Sequence, residues 1–393
     1  MARQPHLTSR LQGFGTTIFA EMSALATRTG ALNLGQGFPD TDGPTEVAEA
    51  AVEAIRNGPN QYPPAPGQAV LREAIAAHQR RFWGIELDPD SEVLVTAGAT
   101  EALAAALLGL CETGDDVVVF DPTYDSYAAG IALAGARLRP VLLHPPADGN
   151  PSWSFDPDEL RRAFSPKTRL ILLNSPHNPT GKVFSRPELE LIAELCQEHD
   201  VLAVTDEVYE HLVFTGGEHV PLSTLPGMAE RTLTVSSGGK TFSFTGWKIG
   251  WATGPAEIVA AVKTAKQFLT FVSGAPLQPA IAVGLGLDDA YYQRFARDLE
   301  AKRDLLDGYL AAAGFGVFTS EGTYFTTVDI SAVSDLGSVD FCLALPEAAG
   351  VVAVPSAVFY QDDRNGDRLV RFCFAKTDEL LSQAGQRLVD AYG

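Results

Sequence analysis

The stretch Val235-Ser-Ser-Gly-Gly-Lys-Thr-Phe-Ser-Phe-Thr-Gly-Trp-Lys-Ile-Gly-Trp251 sets a lysine between two glycines and a threonine. Gly-Lys-Thr after an apolar run suggests a nucleotide phosphate loop. Such a loop needs a glycine five residues before its last one, so that backbone N–H groups can wrap the phosphates. The last glycine here is Gly239, and position 234 is a threonine, so the spacing fails. Lys240 therefore has another role. It follows the apolar run "TLTVSS" (232–237) and sits beside glycines that let a ligand approach the backbone. A lone lysine in such a place is more often solvated than reactive, so its neighbours along the chain decide.

Along the rest of the chain, apolar runs alternate with helix-like segments from about residue 65 to 290. "EVLVTAG" (92–98), "DDVVVFDP" (115–122), "TRLILLNSP" (168–176), "VLAVTDEVY" (201–209), "TLTVSS" (232–237) and "KIGWATG" (248–254) read as strands. Helical stretches at 99–111 and 186–199 separate some of them. Near-continuous apolar strands with helices between them imply a parallel sheet covered on both faces, an α/β fold. After about 287 a long charged helix (287–313) leads into strand-like pieces near 323–330, 351–354 and 369–374 and a last helix (377–391), which reads as a smaller α+β unit. Ligands of open α/β sheets sit at the carboxyl ends of the strands. Ala99 and Thr100, Tyr124, Asn178, Asp206 and Tyr209, and Ser237 to Lys240 all fall at or just past such ends. Structure alone gives no reason for that convergence.

Composition narrows the function further. The chain has 393 residues, with 29 Lys and Arg against 49 Asp and Glu, a net charge of −20. That charge argues against a general nucleic-acid surface, and with it against a DNA-binding regulator. An anionic substrate would need a locally positive pocket set against the global field. No secretory signal is visible in "MARQPHLTSRLQGFG", and "ALAAALLGLC" (102–111) is too short to span a bilayer. The cysteines at 111, 196, 342 and 373 form no CxxC pair, and the histidines show no metal-ligand spacing. The expectation is a cytoplasmic protein with reduced thiols, no metal and no membrane or nucleic-acid partner. "GFGTTI" (13–18) lacks the third glycine of a dinucleotide fingerprint.

Five motifs then converge: "NLGQGFPD" (33–40), "NSPHNPTG" (174–181), "TDEVYEHLVF" (205–214), the opening stretch, and "VRFCFAK" (370–376). In order and spacing the chain resembles the class I aminotransferases, the fold-type I enzymes that use pyridoxal 5′-phosphate. The resemblance implies a large domain (41–290) with a mostly parallel seven-stranded sheet flanked by helices. It also implies a small α+β domain (291–393) and an N-terminal segment (1–40) packing with it. It makes Lys240 the residue whose amine forms a Schiff base with the cofactor and then moves the substrate proton. Asp206 would keep the cofactor's ring nitrogen protonated, so that the ring can spread carbanion charge. Tyr209 and Asn178 would donate to its phenolic oxygen, and Tyr124 would stack on the ring. Ala99, Thr100, Ser237 and Lys248 would hold the phosphate, with Lys248 standing where most relatives carry Arg; a lysine binds phosphate as a point charge rather than a fork. Tyr62 would reach the phosphate of a neighbouring subunit, which implies a homodimer with shared sites. Arg371 and Gly37 would take the substrate α-carboxylate.

The substrate pair implied is an amino acid and a 2-oxo acid. "IFAEMSALATRTGALNLGQGFPDTDGP", "NQYPPAPG" and "VTDEVYEHLVF" resemble the N-succinyldiaminopimelate aminotransferases of lysine biosynthesis more than the kynurenine/glutamine group. Phe19 stands where kynurenine-type enzymes carry a Trp near the substrate. A methionine-type transaminase or a cysteine-conjugate β-lyase would need the same lysine, aspartate and arginine.

Overall fold

In the computed structural model, which describes residues 6–15, 17–58, 60–147 and 149–393, a seven-stranded sheet organises the middle of the chain. The chain opens with α1 (Ile18–Thr29), β1 (Leu32–Asn33), α2 (Thr45–Asn57) and α3 (Ala69–Trp83). The sheet region follows as β2 (Val93–Thr96), α4 (Gly98–Leu110), β3 (Asp116–Asp121), α5 (Asp125–Ala134), β4 (Arg137–Leu142), α6 (Pro157–Ala163), β5 (Thr168–Asn174), α7 (Arg186–Glu198) and β6 (Leu202–Asp206). It continues through β7 (Thr232–Ser237), α8 (Gly238–Thr241), β8 (Gly250–Thr253), α9 (Ala256–Lys266) and α10 (Leu277–Leu285). The remainder is α11 (Asp289–Ala312), β9 (Gly316–Phe318), β10 (Phe325–Asp329), α12 (Ser338–Ala349), β11 (Val351–Val352), β12 (Val354–Pro355), β13 (Leu369–Cys373) and α13 (Asp378–Tyr392).

The sheet order is β2-β8-β7-β6-β5-β3-β4. Strands β3 to β7 pair in parallel, whereas β8 runs antiparallel to both β2 and β7. "KIGWATG" is thus a strand, but not a parallel one. The link from β7 holds only the single turn of α8 and a 3₁₀ turn at Thr245–Trp247. It lacks a crossover helix to carry the chain back over the sheet, so the chain re-enters from the end it left.

Side chains alternate along each strand, and the alternation decides which helix each residue meets. Val117, Val119, Leu170 and Leu172 pack in one cluster with residues of α4 and α9. Val118, Phe120, Ile171 and Leu173 pack on the other face with Leu189 and Ile192 of α7. Strand β4 escaped the sequence reading because it is an edge strand, with Arg137 and Arg139 exposed and Pro140 inside it. Both arginines pair with the buried Asp116, at 2.9 and 3.0 Å. Charges and proline on an edge suppress pairing with other chains.

A four-stranded antiparallel sheet, β12-β13-β10-β9, lies beyond α11. Strand β1 pairs in parallel with β11, and Met22, Leu25 and Ala26 of α1 share a core with Phe341, Leu345 and Leu388. Val208, Tyr209 and Leu212, just past β6, enter the same core. Among the described residues no helix is long and apolar enough to cross a membrane. Cys196, Cys342 and Cys373 are buried and Cys111 is half-buried, all as free thiols.

Candidate active site

Strands β2, β3, β5, β6 and β7 end at one edge of the sheet, where a cavity of about 300 Å³ opens. All the residues singled out from the sequence line it except Tyr62.

One end of the cavity is built on α4. Gly98 starts the helix at φ 76°, a left-handed conformation that suits glycine. A Cβ on Gly250 would lie 2.5 Å from the carbonyl carbon of Gly98 and 2.7 Å from the nitrogen of Ala99. Only glycine lets β8 run so close to the helix start. A Cβ on Gly98 would lie 3.1 Å from Lys248 Nζ, so that ammonium rests against the first turn. Free N–H groups and the helix dipole make this end positive. Burial, and then the charge of Lys240, push the Lys248 amine below its ordinary range, only partly offset by Glu101. Thr100 and Ser237 face the same space. Cations gathered at a helix start form a site for a multiply charged anion.

At the other end lies Asp206, buried at the tip of β6. Its Oδ2 accepts from the Tyr127 hydroxyl at 2.7 Å and its Oδ1 from the Val208 N–H at 3.4 Å. Burial pushes the carboxyl up to about 6 against these bonds and the Lys240 charge. An anionic Asp206 here suits a cationic N–H partner in the cavity. Asn174 fixes the floor: its Nδ2 donates to the Asp206 carbonyl at 2.8 Å, and its Oδ1 accepts from the Asn178 N–H at 2.7 Å. Asn178 Oδ1 in turn accepts from Arg371 Nη1 at 2.9 Å, leaving the Asn178 amide nitrogen to donate. Burial holds the phenols of Tyr124 and Tyr209 above their ordinary range, so both stay protonated donors.

Lys240 lies between these ends on α8. Its Nζ donates to the Tyr324 hydroxyl at 2.8 Å and stands 5.7 Å from the centre of the Tyr209 ring. Arg371, on β13, is 1% exposed and makes no ion pair among the described residues. Its guanidinium lies 3.9 Å from the Phe325 ring, 5.0 Å from Phe359 and 5.2 Å from Phe19. Its Nη2 donates to the Gly35 carbonyl at 3.3 Å, and its Nε has no partner. Burial without an anion lowers its pKa from the ordinary arginine value. A buried cation with no ion-pair partner among the described residues, only the field of Asp125, calls for an anionic ligand. Phe325 also touches Gly37, where a Cβ would lie 2.7 Å from the ring.

Tyr62 lies outside this cavity, 82% exposed, edge-on to Phe271 at 5.6 Å. Lys266 Nζ ties the two loops together through Ala65 O at 3.3 Å and Phe271 O at 2.5 Å. Phe268, also 82% exposed, extends this apolar rim.

Tyr127, Asn174, Tyr324, Phe325 and Phe359 belong to the site but were missed in the sequence. Tyr127 stands three residues after Tyr124 in "DPTYDSY", and Asn174 opens "NSPHNPTG", so both carried a local signal. Tyr324 and Phe325, in "GTYF", read as core strand residues. Behind the site, Glu210 accepts from Ser236 Oγ at 2.8 Å and Trp83 Nε1 at 2.7 Å, and His78 and His211 bond each other at 2.7 Å. His78, Glu210 and His211 bring their ligand-type atoms within 4.8 Å, though the sequence showed no metal spacing. The two histidines bond each other, while Glu210 is held by Trp83, Ser236 and Gln79 rather than by either histidine.

An amine, a ring-facing carboxylate and a cationic anion cradle spaced along one cavity fit pyridoxal 5′-phosphate, which carries an aldehyde, a pyridine nitrogen and a phosphate. The family model for aminotransferases of class I and II matches residues 29–388, and the chain belongs to that family of pyridoxal-phosphate enzymes. It is 52% identical over 388 residues, 97% of each chain, to a probable N-succinyldiaminopimelate aminotransferase of Mycobacterium tuberculosis. It is 42% identical over 380 residues, again 97% of each chain, to a methionine aminotransferase of Escherichia coli. The solved structure of N-succinyldiaminopimelate aminotransferase from Mycobacterium tuberculosis superposes with a TM-score of 0.95 at 51% identity, covering 98% of this chain and 100% of that one. The protein is a pyridoxal-phosphate-dependent aminotransferase acting between amino acids and 2-oxo acids.

Proposed function

We propose that the enzyme transfers the amino group of N-succinyl-LL-2,6-diaminopimelate to 2-oxoglutarate. The observation that carries this choice is the 52% identity to the N-succinyldiaminopimelate relative across 97% of both chains. Phe19, in place of a tryptophan, also weighs against a kynurenine-type donor.

The geometry supports the following residue roles. The bound cofactor supplies an electron sink for the carbanion at the amino acid Cα. Lys248, Thr100, Ser237 and the first N–H groups of α4 at Ala99 would hold its phosphate. Asp206, oriented by Tyr127, would meet the cofactor's ring nitrogen as an anion. Tyr209 and Asn178 would donate to the cofactor's phenolic oxygen, and Tyr124 would pack against its ring. Lys240 would hold the cofactor's aldehyde and, once freed by the substrate amine, its own amine would carry the proton between the substrate Cα and the former aldehyde carbon. Arg371 grips the α-carboxylate of donor and acceptor alike, with the Gly37 N–H beside it. Using one grip for both substrates suits a two-stroke exchange in which the amino acid leaves as a 2-oxo acid before the second 2-oxo acid enters.

Methionine is the second reading, favoured by the relative at 42% identity and by the apolar rings of Phe19 and Phe38 at the cavity. The test is a half-reaction screen of the purified holoenzyme with N-succinyl-diaminopimelate, glutamate, methionine, glutamine and kynurenine, one at a time. The visible cofactor band should convert with the succinylated donor and with glutamate. Conversion with methionine or kynurenine and none with the succinylated donor would overturn the assignment. Pyruvate and ammonia from a cysteine conjugate would instead reveal β-lyase chemistry.

A further inference from the structure

We infer that Tyr324 is a positioning residue: its hydroxyl holds the Lys240 amine whenever that amine is disengaged, and ties it to the backbone strap that carries Gly37. The inference rests on Lys240 being the proton carrier of the proposed function.

The Tyr324 oxygen is fully buried and used on several sides. It accepts from Lys240 Nζ at 2.8 Å and donates to the Gly37 carbonyl at 2.8 Å. A phenol has one proton to give. That proton goes to Gly37, so toward Lys240 the oxygen is an acceptor. Packing fixes the ring: Tyr209 meets it edge-on at 5.2 Å and Phe325 lies at 4.7 Å. The hydroxyl therefore cannot follow a moving lysine, and the lysine must come to it.

The strap from Gly35 to Asp40 lines the cavity; the Asp40 N–H bonds the Ala375 carbonyl at 3.2 Å, and three side chains in or beside the four-stranded sheet clamp it further. Arg371 Nη2 reaches the Gly35 carbonyl at 3.3 Å, and Tyr324 reaches Gly37. Lys376 Nζ reaches the Phe38 carbonyl at 3.0 Å and Asp40 Oδ1 at 2.8 Å. Tyr324 is the only one of these three clamps that also touches Lys240. Bonds sharing one oxygen polarise one another. Arrival or departure of the lysine amine thus changes the hold on the strap that presents Gly37 to the substrate carboxylate.

The test uses Tyr324→Phe, which keeps the buried ring and removes one oxygen. In the apoprotein, brief acetic anhydride labelling at fixed pH, read by mass spectrometry against the exposed Lys167, should label Lys240 about threefold faster or more in the variant, because its acceptor is gone. Hydrogen exchange in peptides covering 35–40 should rise by about threefold or more, with peptides over 186–198 unchanged. In the holoenzyme the first-order half-reaction with an amino donor should slow by about tenfold or more, while cofactor dissociation moves by less than about threefold. Unchanged labelling, unchanged exchange or an unchanged half-reaction overturns the inference. Should Tyr324→Phe fail to fold, Lys240→Met reports from the other end: exchange at 35–40 should rise there too, and no rise overturns the coupling. If the wild type reacts with no amino donor, the aminotransferase assignment falls, while the labelling and exchange results still decide the part played by Tyr324.

Discussion

The Tyr127 hydroxyl donates to Asp206 Oδ2 at 2.7 Å, inside a core where burial raises the Asp206 carboxyl to about 6. Ionised Asp206 is therefore a cost to the protein alone, and would become a gain once a cationic partner is bound. In the proposed role, the same side chain that destabilises the apoprotein would have its charge answered by the cofactor's ring nitrogen.

Asp206→Asn separates the two effects. Asparagine keeps an oxygen for Tyr127 and loses the charge. Below about pH 4 the wild-type carboxyl is protonated in both the folded and unfolded chain, so the variant gains nothing. As the pH rises toward about 6 the unfolded chain ionises first, and wild-type stability falls. Above that pH the variant apoprotein should be more stable than wild type by about 2–3 kcal/mol, measured by urea unfolding. Cofactor affinity should move oppositely, weakening by about 10-fold to 150-fold, because a charge-assisted bond is lost. An affinity equal to wild type would remove Asp206 from the site.

Gly250→Ala tests the close approach of β8 to α4. The new Cβ would fall 2.5 Å from the Gly98 carbonyl carbon, so strand or helix must shift. The cost should be about 1–3 kcal/mol of stability. Inorganic phosphate should raise the melting temperature of wild-type apoprotein and do so less in the variant. Gly246→Ala is the control, since nothing lies within 4 Å of its Cβ position. Lys248→Ala should abolish the phosphate effect without the loss of stability, and Lys248→Arg should retain it.

How much of this was legible beforehand follows from where each signal sits. The parallel strands showed as apolar runs because both faces of the sheet are covered. Asp206, Tyr209, Asn178 and Lys240 stood out because each is a polar residue just past such a run. Direction was not legible: the reversal of β8 depends on the length and shape of the link from Gly238 to Ile249, not on the strand's own residues. Strand β4 was hidden by its edge position, which replaces the apolar pattern with Arg137, Arg139 and Pro140. Tyr324 was the hardest to find. A tyrosine in an apolar strand looks like core, and its ring is core; only the fold shows that its one polar atom faces Lys240. Tyr127 was hidden in the same way, since only the fold shows that its hydroxyl, at the cavity wall, is set against Asp206.

Arg371→Lys tests the carboxylate grip. Lysine keeps the charge but loses the fork, the stacking on Phe325 and the bond to Asn178. The α-carboxylate is common to every donor and acceptor. The variant should therefore lose kcat/KM for both by a similar factor, about 100-fold or about 3 kcal/mol, with cofactor affinity changed by less than about threefold. A loss confined to one donor would show that Arg371 reads a side chain instead.

Tyr62 is 82% exposed beside Phe268 and Phe271, on loops pinned by Lys266, an unusual place for such large rings. A second copy of the chain seated on this rim would cover the rings and bring Tyr62 to the partner's phosphate cradle. Sedimentation should show a dimer, and a monomer at working concentration would end the idea. Shared sites have a sharper consequence. Lys240→Ala is inactive in its own cavity but still supplies an intact Tyr62, whereas Tyr62→Ala supplies an intact Lys240. Neither variant alone contains a complete site. Unfolded together and refolded as an equal mixture, about half the dimers would be hybrids with one complete site of two, so about a quarter of wild-type activity should return. If Tyr62 serves its own chain, or has no part in the site, mixing would restore nothing beyond the average of the two variants.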